Sequence, residues 1–298
     1  MGVPDGGSVC RLFGLHAGRS PVAATFWLLD APDSLKVQSL REPDGTGIGT
    51  FTSHGRPRVD KQPIAAWEDR AFAREARRLE STTFLAHVRY ASLGAHTYVN
   101  THPFEQDGRL FAHNGAFADV AALDRRLEDV GTRALVQGQT DSERLFALIT
   151  AETRGAAGDV GAGIAAAVTW LAENVPVLSL NCIITTATDL WAVRYPDTHE
   201  LHVLEDRTRA PGRARRLHAR SARISARAED LGDHVLVATE PMTDDPRWRM
   251  IDPGTLLHVG SDLAVSCSFP FPDQPTRRLS VDDLSPAAAA SQREGRPR

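Results

Sequence analysis

Short strand-forming runs stand on both sides of one block of helical periodicity, and that order restricts the fold more than any other feature of the chain. Arg11 to His16, Gly47 to Thr52, Thr82 to Arg89 and Arg109 to His113 read as strands ahead of the block. Phe72 to Leu79 sets a short amphipathic helix among them. The block itself carries three helical patterns. Val120, Leu123, Leu127 and Val130 recur at helical spacing, as do Leu145, Leu148 and Ile149 within Asp141 to Thr150, and an Ala-rich helix is predicted from Val160 to Glu173. Strands resume at Leu180 to Thr186, Leu190 to Tyr195 and Leu201 to Leu204, where intervening turn residues predict an antiparallel meander. His234 to Ala238, Met250 to Ile251 and Leu256 to Val259 follow. Strands flanking a helical block predict helix layers against sheet, an α+β fold and not a βαβ repeat.

A chain of 298 residues is ample for a buried core. Its net charge of −4 points to neither nucleic acid nor a membrane surface as partner. The longest apolar stretch, Val160 to Ala172, is broken by Gly and Thr and is too short to span a bilayer. Residues 1–9 are Gly-rich and polar, with no basic or apolar signal region, and read as an unstructured leader. Residues 271–298 read as a disordered tail, their composition turning to Ala, Ser, Arg and Pro from about Arg277. The span 10–270 between them reads as one continuous domain. Three scattered cysteines are too few for a disulfide framework or a zinc site, so no metal is expected and a reducing cytoplasm is the simplest location.

Several residues carry chemistry, and each also has a structural explanation. Cys10 suits a small buried hydrophobe at the start of a strand. Arg89 closes an apolar strand after Phe84-Leu85-Ala86, so its guanidinium needs an anionic partner and matches a carboxylate held by two bonds. His87 in the same strand reads as structural, hydrogen-bonded near the same place. Asn114-Gly115 sits between apolar residues as a hairpin turn would; such a turn also exposes the Gly115 N–H beside the Asn114 amide, two donors suited to an oxyanion. Thr140 and Glu143 form a capping-box pattern with Asp141 in the first helical turn, where Asp141 is also placed to bind an ammonium group. His102, before Pro103, is read as structural. Pro43 to Gly49 lacks the lysine of a phosphate loop and is read as a turn into a strand that comes close to another element.

The order of these segments is more specific than any of them. Cys10-Arg-Leu-Phe-Gly, His87-Val-Arg-Tyr-Ala, Asn100-Thr-His-Pro-Phe, Phe111-Ala-His-Asn-Gly and Gly138-Gln-Thr-Asp-Ser-Glu together resemble the class II glutamine amidotransferases. Within them the chain resembles the stand-alone branch that includes ergothioneine-pathway amidohydrolases and glutaminase-like subunits of glutathione-degrading complexes. Leu180-Asn181, Leu190 to Tyr195 and Val237 to Met242 resemble the family's later strands. The resemblance implies a four-layer αββα N-terminal-nucleophile sandwich of two antiparallel sheets. It implies Cys10 as nucleophile, Asn114 and the Gly115 N–H as oxyanion hole, Arg89 on the substrate α-carboxylate and Asp141 on its α-ammonium, with no cofactor. The implied partner is a γ-glutamyl small molecule, and a second copy or a pathway partner protein stays open.

A thiol of pKa ~8.5 needs a base at neutral pH, and an α-amine of pKa ~7.7–8.0 on the same residue can serve. That chemistry requires Cys10 to be the first residue, whereas Val9 and eight residues more precede it here. Three explanations are open: translation starting at codon 9 with removal of the initiator methionine, a propeptide cleaved after Val9, or a non-catalytic relative that keeps the glutamate pocket. The first is favoured because the leader looks like translated upstream sequence. Stand-alone γ-glutamyl hydrolysis, a glutaminase-type subunit of a complex and an ergothioneine-pathway hydrolase remain as functional alternatives.

Overall fold

The computed structural model describes residues 10–40, 44–89, 97–207 and 232–284, together with 286 and 289. The leader 1–9 lies outside the described residues. In chain order the strands are β1 (Arg11–His16), β2 (Val22–Ala23), β3 (Gly45–Phe51), β4 (Pro57–Gln62), β5 (Glu80–Ser81), β6 (Thr83–Arg89), β7 (Phe104–Gln106) and β8 (Arg109–Phe117). After the helical block come β9 (Val177–Thr185), β10 (Leu190–Arg194), β11 (His202–Asp206), β12 (His234–Ala238), β13 (Arg249–Met250), β14 (Thr255–Val259) and β15 (Val265–Ser268). The α-helices are α1 (Leu35–Gln38), α2 (Arg70–Arg78), α3 (Val120–Asp129), α4 (Asp141–Gly155) and α5 (Val160–Asn174).

Among the described residues the strands form two large antiparallel sheets. One has the order β13-β11-β12-β1-β6-β3-β4, the other β15-β14-β10-β9-β8-β7. Their inner faces pack on each other through Leu12, Leu85, Leu110, Ile183, Val203 and Val237. The outer face of the first sheet, with Phe13, Phe84 and Leu236, is covered by α2 and the π-helical turn Phe26–Asp30. The outer face of the second, with Phe111, Leu180 and Ile184, is covered by α3, α4 and α5. The expected αββα layering is therefore present. Period-two alternation explains it: both faces of β1, β6, β8 and β9 are buried, so these strands read as apolar runs.

Side-chain caps fix the starts of the four longer helices. Asp69, Asp119, Thr140 and Asp159 each accept a backbone N–H from the first turn of α2, α3, α4 and α5. The capping box of α4 is only half formed. Thr140 takes the Glu143 N–H at 3.2 Å, but the Glu143 carboxylate turns back to the Gly138 N–H at 2.6 Å.

Three further expectations are corrected. The predicted meander breaks after its second strand: β9 and β10 pair, but β11 joins β12 in the other sheet. Leu201 and Val203 of that connection complete the apolar inter-sheet layer, which a third strand beside β10 would leave open. The tail is structured at its start. Thr276 N–H bonds to Ala172 O, Val177 N–H to Arg277 O and Leu279 N–H to Val177 O, so backbone pairing with β9 holds a segment whose composition is that of a tail. The third correction concerns Asn114 and Gly115, which lie inside β8 and not at a turn. They pair with Asn181 and Leu180, because a ladder of eight residue pairs with β9 outweighs the local preference of Asn-Gly.

Candidate active site

Strand register builds the site. Arg11 pairs with Val88, so one step outward Cys10 stands opposite Arg89, and Gly45 of β3 flanks Arg89 on its other side. Alternation puts Cys10 on the inner face with Leu12, and Arg89 with His87 and Leu85. In the facing sheet Asn114 follows Leu110 and Ala112 on the inner face, and Asn181 precedes Ile183. Strands β1 and β6 each pack across β8 and β9, so these polar residues share one end of the inter-sheet layer.

The paired asparagines differ sharply. Asn181 is fully engaged: its amide nitrogen donates to His199 O at 3.2 Å and Glu200 O at 3.3 Å, and its oxygen accepts Tyr195 N–H at 3.0 Å. It fastens the crossover into β11. Asn114 is 1% exposed, and neither its Oδ1 nor its Nδ2 meets a described hydrogen-bond partner. A buried primary amide without partners costs stability unless a ligand supplies them.

Arg89 is 4% exposed. Burial lowers its pKa, and the nearby Cys10, Asp44 and Asp141 pull it back up, so these groups converge electrostatically on one guanidinium. Asp44 escaped the sequence reading because Pro-Asp-Gly looks like turn chemistry. Its N–H bonds to the Arg89 carbonyl at 3.1 Å, a contact only the fold makes. Asp141 opens α4 and is 4% exposed. Its Oδ1 accepts the Ser142 N–H at 2.8 Å, while Oδ2 is buried with no described donor. Thus Cys10, Arg89 and Asp141 converge, Asn114 brings amide atoms without a described partner from the opposite sheet, and Gly115 lies beside it. A side chain at Gly115 would collide with the Ser179 carbonyl, which accounts for the glycine by close approach and not by a turn.

Behind these groups lie buried histidines. His87 is pushed down to about 3, mostly by burial and then by Arg89 and His113. Its ring centroid is 4.2 Å from that of His102, which burial likewise holds neutral. The His113 backbone works against the His87 shift as a hydrogen-bonding neighbour of the ring, near the expected place, although neither ring nitrogen meets a described partner at full hydrogen-bond geometry. The Gly-rich approach is as expected: a side chain at Gly47 would strike the His102 carbonyl, and one at Gly49 would press on Leu110 and Pro103. Lys61 clamps the same segment, donating to Thr101 O at 2.6 Å and Pro103 O at 3.2 Å, its pKa lowered by burial to about 8. Among the described residues no cluster of His, Cys, Asp and Glu is arranged to hold a metal ion. No described helix is long and apolar enough to cross a membrane.

Comparison with known proteins gives the family. The family model "Glutamine amidotransferases class-II" matches residues 9–277. The γ-glutamyl-hercynylcysteine sulfoxide hydrolase of Mycobacterium tuberculosis is 30% identical over 261 residues, covering 84% of this chain and 93% of that protein. An uncharacterised protein of Methanocaldococcus jannaschii is 31% identical over 255 residues, 76% of this chain, which spans 63% of that protein's length. In fold, the glutamine aminotransferase class-II domain protein of Silicibacter pomeroyi superposes with a TM-score of 0.60 at 22% identity, covering 88% of this chain and all of that one. A thiol heading a central strand, a buried arginine opposite it and an amide without a described partner across a two-sheet αββα sandwich thus occur in a chain that belongs to the class II glutamine amidotransferases, enzymes of carbon–nitrogen amide bonds.

Proposed function

We propose that this chain is a stand-alone hydrolase of γ-glutamyl amides that works through a thioester on Cys10. The observation that carries the reading is Asn114: a buried amide with no described partner, on the sheet opposite the thiol, has an Nδ2 that a ligand oxygen would satisfy. Arg89 then holds the α-carboxylate and Asp141 the α-ammonium, which directs the γ-carbonyl to Cys10.

With Cys10 first in the chain, its α-amine takes the thiol proton while Sγ bonds to the γ-carbon. The carbonyl electrons move to oxygen, where the Asn114 Nδ2 and Gly115 N–H donate to the oxyanion. Collapse breaks the C–N bond, and the proton passes from the ammonium to the departing amine. Water then attacks the thioester, giving a proton to the amine; collapse releases glutamate, and the sulfur regains its proton. The amine and thiol differ by about one pKa unit or less, so each transfer is nearly thermoneutral.

The test compares protein beginning at Cys10 with protein retaining residues 1–9, on glutamine, glutathione and γ-glutamyl conjugates. The Cys10-first form should turn over at least one of them and take up one equivalent of an electrophilic glutamine analogue on Cys10 by mass. Turnover equal in the extended form, or labelling of another side chain, removes the mechanism. A second reading is favoured by one comparison: the Mycobacterium tuberculosis relative matches over nearly its whole length and is named for a γ-glutamyl cysteine-sulfoxide conjugate. Such a conjugate belongs in the panel. Activity that appears only with an added partner protein would instead indicate a subunit of a complex.

A further inference from the structure

His113 stands between Phe111 and Asn114 on β8 but points away from the inter-sheet layer, toward α4. Its Nδ1 lies 2.9 Å from Ser142 Oγ and its Nε2 3.2 Å from Ser179 O. A backbone carbonyl only accepts, so Nε2 carries the proton and donates to Ser179. Burial lowers the pKa of the ring against the pull of Asp141 and of the Ser179 bond, so at neutral pH it is uncharged. A neutral ring protonated at Nε2 has a lone pair at Nδ1, and the Ser142 hydroxyl donates to it.

That donation has a consequence one residue away. Ser142 Oγ is also 3.3 Å from Asp141 Oδ1, close enough to serve it instead. A hydroxyl has one hydrogen, so a bond to His113 leaves none for Asp141. The carboxylate keeps the Ser142 N–H on Oδ1, and its Oδ2 remains without a described donor. A buried carboxylate short of donors gains more from an incoming cation than one already satisfied.

We infer that His113 is a positioning residue for the ammonium subsite: by taking the Ser142 hydroxyl hydrogen it withholds a donor from Asp141 and keeps that carboxylate open to a primary ammonium group. The inference deepens the role proposed above for Asp141 and rests on it. It makes recognition of the ligand's α-ammonium, and not of its carboxylates, the property that His113 tunes.

Binding of L-glutamate and of glutarate, measured calorimetrically on protein beginning at Cys10, tests this without turnover. The two diacids share their carboxylates and differ in the ammonium. The parent should bind glutamate more tightly than glutarate. His113→Phe frees the Ser142 hydroxyl to turn to Asp141, and the glutamate Kd should rise about tenfold while glutarate is unmoved. Adding Ser142→Ala removes the competing donor and should return the glutamate Kd most of the way to the parent value. Recovery through a second truncation is not what structural damage produces. A double variant as weak as His113→Phe, or equal losses for both diacids, overturns the inference and leaves the pocket reading intact. A parent that does not prefer glutamate removes the Asp141 role and this inference with it.

Discussion

The layer between the sheets is built in two ways along the same strands. Toward its middle, Leu12, Leu85, Leu110, Ile183 and Val237 interdigitate as an apolar core. Two to four residues further along each strand the same faces carry Cys10, His87, Arg89, Asn114, Asn181 and Thr239, all buried. The first region is held by burial alone. The second places polar groups at equal depth, and two of them carry atoms with no described partner: both amide atoms of Asn114 and the Thr239 hydroxyl. One stretch of sandwich therefore maximises stability, and the adjoining stretch gives some of it up for atoms that can meet a ligand. Asn114 and Asn181, directly opposed across β8 and β9, condense that difference into one pair.

Substitutions can break the comparison. Ile183→Ala should lower unfolding free energy by about 2–5 kcal/mol in denaturant melts, with kcat per folded molecule kept. Asn114→Ala should do the reverse: kcat falls by ~10²–10³, about 2.7–4 kcal/mol of barrier, while stability holds or rises. An unchanged kcat would remove Asn114 from the chemistry. Asn181→Ala should cost about 1–3 kcal/mol of stability, since it strips bonds from His199, Glu200 and Tyr195. If the two asparagine variants behave alike, the contrast between a fastening amide and a waiting one is wrong. Arg89→Lys should lower kcat/KM on γ-glutamyl substrates about tenfold, because an ammonium cannot reproduce the two-bond fork. Equal values for variant and parent would contradict the carboxylate role.

Acid sharpens the comparison most gently. The folded pKa of His87 is lowered to about 3 from an ordinary 6.5, so the unfolded chain binds more protons between those values. The stability that His87 contributes by staying neutral is complete above pH 6.5 and drains as pH falls toward 3, by about 1.4 kcal/mol per pH unit at most. His87→Phe should flatten the fall of unfolding free energy with pH in that window. An unaltered slope would mean the ring is protonated in the folded protein.

The sequence reveals much of the layering, because strands buried on both faces leave apolar runs and capped helices leave Asp or Thr at their starts. It conceals elements that lack either mark. The edge strand β4, Pro-Arg-Val-Asp-Lys-Gln, is polar as exposed edges tend to be, β7 has three residues, and β15 is largely exposed. The π-helical turn Phe-Trp-Leu-Leu-Asp shows no helical periodicity. Of the proposed site, Cys10, Arg89 and Asp141 are legible as candidates from residue type and order. Asn114 and Gly115 are legible as residues but not in conformation, since a local turn signal yields to a ladder of eight residue pairs. Asp44 near Arg89, and the bond from Ser142 to His113, join residues 29 or more positions apart or hidden in a turn signature, and no local pattern encodes them.

Chain ends ordinarily fray, which would spoil a reacting group carried on a terminus. Here β1 is an interior strand, zipped on one side to β6 and on the other to β12, and Arg11 is tied to Glu240 by an ion pair of 2.8 Å. A protein beginning at Cys10 would thus present its first residue with the rigidity of a core residue. The ordering entropy of the proposed nucleophile would then be met once, during folding, and not again at each encounter with substrate.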